Sequence, residues 1–255
     1  MVAKIRELRR LHFRLLKTLW FNIRVFKFNE ALRLPVFIFG DIIFEDLHRG
    51  CVRLDRISTC ALKLGGGAFT AFMGHSNLYK SYIRIAGTVY CGDDVTIDQG
   101  CVISVCRGAE LRLGSNIYIN RKTKIHVKKR IEICDNCRIG WECQVFDTNF
   151  HYTVFNGKIM NREQPVFVGH NVWLTNGVSI MKGSVLPPFS VVASKSLINK
   201  DFSDIGEGWL YGGIPAKPLA KGIRRLLNGE QYLDVLFDDG RDYVKYDDLK
   251  DYPLE

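Results

Sequence analysis

Among the side chains able to move a proton near neutrality, one of six histidines stands where an otherwise rigid pattern is interrupted. His151 lies in the stretch Asp147-Thr148-Asn149-Phe150-His151-Tyr152, which opens an excursion running to Pro165. Long excursions from a stiff scaffold are where function concentrates. An imidazole at the root of such a loop can act as both base and acid, so His151 reads as a general base. Other reactive groups carry weaker signals. Cys134 and Cys137 form a CxxC pair, but no second pair completes a zinc site, and the eight cysteines read as packed, reduced thiols of a cytosolic protein. Gly65-Gly66-Gly67 lacks the strand, lysine and helix of a phosphate-binding loop.

The element that must hold His151 is a repeat of six. Aliphatic residues recur at Ile85, Cys91, Ile97, Ile103, then Leu113, Ile119, Ile125, then Ile133, Ile139, Val145. After the excursion come Val168, Leu174, Ile180, Leu186, Val192 and Ile198 without a slip. A helix would return to its face after three and four residues, a hairpin strand after two. A period of six, with one large aliphatic pointing inward per flat side, predicts a parallel β-helix of hexapeptides, here about five coils. Many of the residues two before each aliphatic are small or β-branched, and they include Cys101, Cys137 and Cys143. Those just after include Gly92, Asp98, Gly114, Asn120, Gly140, Gly169 and Asn199, types that suit sharp turns.

The 255 residues carry 47% hydrophobic and 25% charged side chains, which argues against disorder. No apolar run is long enough to span a bilayer, and no secretion signal is evident. The net charge of +9 is concentrated: residues 1–35 hold nine Lys/Arg against Glu7 and Glu30. Such a local arm is not the spread-out basic face of a nucleic-acid binder. Four segments follow. Residues 1–40 form a basic, amphipathic helical arm, from the spacing of Ile5, Leu8, Leu11, Leu15, Leu19 and Ile23. Residues 41–82 form an irregular first coil or lead-in. Residues 83–218 form the β-helix, with an active-site loop at 146–165. Residues 219–255 form a C-terminal extension with a short helix near Ile223–Leu227.

The pattern resembles the left-handed β-helix of hexapeptide-repeat acyltransferases, most of all sugar O-acetyltransferases of bacterial capsule, O-antigen and exopolysaccharide synthesis. The residues that carry the resemblance are Asp147 to His151, Val168-Gly169-His170-Asn171-Val172-Trp173, Asn199-Lys200-Asp201 and Gly213-Ile214-Pro215-Ala216-Lys217-Pro218. It implies the handedness, acetyl-CoA as co-substrate, no metal, and a homotrimer with the cofactor cleft between subunits. It also implies roles. His151 deprotonates a sugar hydroxyl, Asp147 orients His151 or binds the sugar, and Asn176 meets the thioester oxygen. Asn120 contacts the acceptor. Trp173, Ala193, Ser194, Asn199, Lys200, Lys217 and Lys221 line the coenzyme. A family position that is often acidic is Lys128 here, within Lys128-Lys129-Arg130. That run is either a solvated turn or a site for an acceptor bearing phosphate or carboxylate.

N-acetylation of an amino sugar is the alternative, with the same base. A zinc-dependent, carbonic-anhydrase-like enzyme is a distant one, since His126, His151 and His170 lack the required close pair. A non-catalytic β-helix would show regular Thr rows, which the sequence lacks. The basic arm, residues 1–34, suggests peripheral contact with the anionic inner face of the cytoplasmic membrane, or packing on the β-helix or a neighbouring subunit.

Overall fold

The computed structural model describes residues 12–66 and 79–226. After two helices, α1 (Leu15–Val25) and α2 (Phe28–Ala31), the chain winds into coils of three short strands. The first coil is β1 (Val36–Ile38), β2 (Ile42–Glu45) and β3 (Val52–Leu54), and the second is β4 (Leu62–Leu64), β5 (Ser81–Ile85) and β6 (Thr88–Cys91). The third holds β7 (Val95–Ile97), β8 (Val102–Val105) and β9 (Glu110–Leu113), and the fourth β10 (Ile117–Ile119), β11 (Lys124–Val127) and β12 (Arg130–Ile133). The fifth is β13 (Arg138–Ile139) and β14 (Gln144–Phe146). It is interrupted by the hairpin β15 (Thr153–Phe155) and β16 (Lys158–Met160) and completed by β17 (Val166–Val168). The sixth is β18 (Trp173–Leu174), β19 (Ser179–Ile180) and β20 (Val185–Leu186). A seventh begins with β21 (Val191–Val192) and β22 (Leu197–Ile198), and the hairpin β23 (Trp209–Gly213) and β24 (Ala216–Lys221) follows.

Each coil lays its strands in register on those of the coil before, giving three parallel faces. The first face holds β1, β4, β7, β10, β13, β18 and β21, extended by β23 and the antiparallel β24. The second holds β2, β5, β8, β11, β14, β19 and β22, and the third β3, β6, β9, β12, β17 and β20. The inward aliphatics form vertical columns, such as Ile103, Ile125, Val145, Ile180 and Ile198 on the second face, all buried. Each such side chain contributes about 1.5–3 kcal/mol by leaving water.

The β-helix therefore starts at Val36, well before the boundary at 83. The first coils escaped the six-residue phase because the turns after Glu45 and Leu54 are longer than one hexapeptide allows. The turn residues also differ from expectation. The left-handed backbone position comes three residues after the inward aliphatic, at Gly100, Lys122, Glu142, Gly177 and Lys195 on one edge and Asp94, Asn116, Asn136, Asn171 and Phe189 on another. Where the residue directly after the aliphatic is Gly, it is small for a different reason. A Cβ on Gly140 would lie 2.3 Å from the Thr175 carbonyl oxygen of the next coil, and one on Gly114 would lie 2.3 Å from the Asp135 carboxylate.

The interior cysteines pack as small apolar groups with a weak donor. Cys101, Cys137 and Cys143 donate Sγ–H to the carbonyls of Asn120, Gly169 and Thr175 at 3.2, 3.1 and 3.1 Å. Burial pushes the Cys137 and Cys143 thiols up to about 12 and about 11.

Helix α1 closes the N-terminal end of the stack. Asn22 bonds both backbone groups of Val36, its Nδ2 donating to the carbonyl at 2.7 Å and its Oδ1 accepting the N–H at 3.1 Å. Thr18 Oγ1 accepts the N–H of Ile38 at 3.0 Å, and Lys17 Nζ donates to the carbonyl of Ile42 at 2.6 Å. The open edge of β1, which would otherwise template another strand, is thereby satisfied. At the other end, residues 223–226 are not helical. They leave the β24 hairpin through Gly222, and Arg225 Nη2 donates to the Asn136 carbonyl at 3.3 Å. The rest of the C-terminal extension and residues 1–11 of the arm lie outside the described residues.

Candidate active site

The edge between the second and third faces carries His151. Asp147, fully buried, leaves β14 at this edge. Its carboxylate accepts three backbone N–H bonds from the coil below: Lys128 on Oδ1 at 2.8 Å, and Lys129 and Arg130 on Oδ2 at 2.6 and 2.8 Å. An anionic acceptor shared by three amides pins the loop root to the turn joining β11 to β12. The Asp147 oxygens hold backbone, and no hydrogen bond from it to the His151 ring is present.

Beyond Asp147 the loop is a built element. Thr148 bridges Glu163, and the N–H of Asn149 reaches the Arg162 carbonyl at 2.9 Å. Strands β15 and β16 pair through the turn Asn156-Gly157, both with positive φ, as a two-residue hairpin requires. Phe150 anchors the root, its ring 5.0 Å from the His126 ring and 5.7 Å from Phe146. His151 follows directly and is exposed, its N–H bonded to the Asn149 carbonyl at 2.7 Å. The sequence reading weighed His126 only as a zinc ligand, although strand alternation around Ile125 turns it outward on β11. Partial burial, then the Lys128 ammonium, lower its proton affinity below that of an ordinary imidazole, against an opposing pull from Asp147.

Below the loop the same edge opens into a groove of about 780 Å³, lined by Asp46, Leu47, His48, Arg84, Ala86, Cys106, Arg107 and Lys128. Arg84 is paired with Asp46 at 2.6 Å, while Arg107, Lys128 and His48 are exposed along it. Lys128 is the predicted member. The other cations come from coils where no local signal marked them. Asn199 and Lys200 lie at this edge too, after β22, both exposed.

The remaining predicted residues cluster elsewhere. Asn120 sits at the edge between the first and second faces, buried, its Oδ1 accepting the Arg121 N–H at 2.8 Å. Asn176 stands at the same edge, its Oδ1 over Gly140. Ser194 is beside them, its hydroxyl 3.1 Å from that of Thr175, and Ala193 bonds Tyr211 through its N–H at 2.8 Å. Trp173 lies exposed on the first face, between Arg138 and Val191 in register. Lys217 and Lys221 are exposed on β24 of that face, with Lys221 Nζ 6.0 Å from the centre of the Trp209 ring. A second groove, of about 610 Å³, runs along this edge among Tyr79, Lys80, Lys122, Lys124, Glu142 and Lys195. Within one chain, then, His151, Lys128, Asn199 and Lys200 stand on one edge. Asn120, Asn176, Ala193, Ser194, Trp173, Lys217 and Lys221 stand on or beside another, on the opposite side of the second face. Among the described residues no group of three or more His, Cys, Asp or Glu is placed to hold a metal ion. His126, His151 and His170 sit on a strand, a loop and a different edge.

No protein-family model matches the chain. It is 28% identical over 125 residues to the polysialic acid O-acetyltransferase of Neisseria meningitidis, a match covering 46% of this chain and 58% of that protein. It is 30% identical over 116 residues to the Saccharomyces cerevisiae protein YJL218W, covering 45% of this chain and 57% of that one. The chain thus spans somewhat over half the length of the curated relatives it matches. Among solved structures, the polysialic acid O-acetyltransferase OatWY superposes with a TM-score of 0.51 at 23% identity, covering 80% of this chain and 94% of that one. The resemblance to hexapeptide-repeat sugar acetyltransferases thus holds in sequence over part of the chain, and the fold is their left-handed parallel β-helix.

Proposed function

We propose that this protein is an acetyl-CoA-dependent O-acetyltransferase acting on a sugar or lipid-linked glycan of surface-polysaccharide assembly. The observation that carries the reading is the exposed His151 imidazole, set beside Phe150 on a loop root that Asp147 fixes to the coil below. His151 takes the proton from an acceptor hydroxyl as the oxygen attacks the thioester carbonyl carbon. The tetrahedral intermediate collapses, the C–S bond breaks, and the imidazolium returns its proton to the departing thiolate. Asn176 supplies a donor to the oxyanion, an interaction worth about 3–4 kcal/mol in comparable sites. Asn120 contacts the acceptor, and Asp147 acts as a positioning residue beneath the loop.

The separation of the two clusters supports a homotrimer, in which the His151 edge of one chain meets the Trp173 and Asn176 side of the next. The coenzyme would then lie between them, with Trp173, Ala193 and Ser194 along the pantetheine and Lys200, Lys217, Lys221 and Asn199 near the phosphates. The cationic groove with Lys128 favours an acidic or phosphate-bearing acceptor, in keeping with the polyanionic glycan named for the Neisseria relative. N-acetylation of an amino sugar would use the same base. The enzyme would work in the cytoplasm, against the membrane where lipid-linked acceptors are built. Among the described residues no helix is long and apolar enough to cross a membrane.

The test is acetyl-CoA turnover against a panel of neutral and acidic glycans, comparing wild type with His151→Ala. Acceptor-dependent turnover is expected to fall at least about a hundredfold. Undiminished turnover in the variant would remove His151 as the base, and an active monomer would remove the shared site.

A further inference from the structure

Helix α1 is turned the opposite way from a helix meant to face water. Its fully buried residues are Thr18, Phe21, Asn22 and Val25, two of them polar and spent on capping β1. Its outward side carries Leu16, Leu19, Trp20 and Ile23, with Leu16 82% and Ile23 54% exposed. The apolar surface continues onto Phe28 and Leu32 of the next turn, 69% and 67% exposed, and onto Ile43 of β2. An outward ridge of this size asks for an apolar covering. The charge around it identifies one. The exposed Arg14, Arg24, Lys27 and Arg33 border the ridge, within a segment carrying nine cations against two carboxylates over residues 1–35.

We propose that this ridge is a membrane-docking surface that inserts between the headgroups of an anionic bilayer. Leu16, Leu19, Ile23, Phe28 and Leu32 would enter the acyl boundary and Trp20 would sit at the interface, where its amphipathic ring is favoured. The surrounding Lys and Arg would neutralise anionic lipid. A second copy of the chain on the same face would bring those like charges together, which disfavours it as the occupant. The inference is independent of the catalytic reading, because no ridge residue lines either groove or belongs to the His151 loop.

The experiment is co-sedimentation of the full chain with vesicles of phosphatidylcholine alone or mixed with phosphatidylserine, over a salt series. The triple variant Leu16→Ser/Trp20→Ser/Ile23→Ser is run beside wild type, with size-exclusion light scattering on both. Only exposed side chains change, so circular dichroism should be unaltered. Wild type should bind the mixed vesicles, weaken as salt rises, and bind neutral vesicles at least about fivefold less. The variant should lose at least about tenfold in partition onto mixed vesicles at unchanged oligomeric mass. Failure of wild type to bind, equal binding by the variant, or a smaller assembly in the variant (which would make the ridge a contact between copies) would each overturn the proposal. His151-dependent turnover of a soluble acceptor should be the same in both proteins.

Discussion

Replacing Asp147 by Asn separates the role the geometry gives it from that of a partner to His151. The carboxylate accepts one backbone N–H on Oδ1 and two on Oδ2, in a fully buried position. The amide keeps one oxygen. Whichever way it turns, its NH₂ faces at least one backbone donor, leaving a buried N–H without an acceptor at a cost of about 1–3 kcal/mol. The surviving bonds lose their charge, and charge-assisted bonds are roughly twice as strong as neutral ones. Together these give about 3 kcal/mol, or a fall in Tm of about 6–12 °C for a chain of this size. An orienting carboxylate would behave differently, since in a catalytic triad its replacement by Asn costs about 10⁴ in turnover with the geometry intact. Thermal denaturation and kcat, measured on the same preparation below the transition, distinguish the two. The expected outcome is a large loss of Tm, with kcat per folded molecule within about tenfold of wild type and the pH profile in place. A variant as stable as wild type but slowed by about 10³ or more would refute this reasoning and restore Asp147 as the partner of His151.

Two further outcomes follow from the same edge. The folded His126 imidazole is held below its ordinary proton affinity, first by burial and then by Lys128, whereas the unfolded chain protonates it near about pH 6.5. Its contribution to stability is therefore full above that pH and declines as pH falls toward the lowered folded value. His126→Gln should flatten the decline between about pH 7 and 5 in thermal melts, and an equally steep decline would assign it to other groups. Reversing two groove charges with Arg107→Glu/Lys128→Glu should raise KM for an acidic acceptor about tenfold or more, leave KM for acetyl-CoA unchanged, and reduce the salt dependence of the acceptor KM. An unaltered acceptor KM would place the glycan elsewhere.

The coils were readable where a single inward aliphatic recurs without slip, because the one column position per side is filled almost throughout by Ile, Leu or Val. From Val168 to Ile198 the reading and the strands coincide. It failed at β1 to β4, where long turns break the phase while the inward columns continue through space. His151 was legible because the loop announces itself as a gap. The binding of Asp147 to backbone was not, since its three donors lie 17–19 residues upstream and become neighbours only when one coil lands on the next. The grooves were hidden for the same reason: Asp46, Arg84, Arg107 and Lys128 are brought side by side by stacking alone. Helix α1 was legible as a helix but not in orientation. Its two hydrogen-bonding residues were needed inside to finish β1, and that turned Leu16, Trp20 and Ile23 outward.

The way the stack is finished governs how copies of it can meet. A column of parallel strands with both ends bare would add itself end to end, each copy serving as the next coil of the one below. Here Thr18 and Asn22 consume the hydrogen bonds of β1, Lys17 takes one carbonyl of β2, and the reversal of β24 against β23 makes the last strand of the first face run the wrong way for a parallel successor. On the first face, growth along the axis is opposed at both ends of the described stack. The sides are left for association, and the two half-complements of reactive residues lie on the sides.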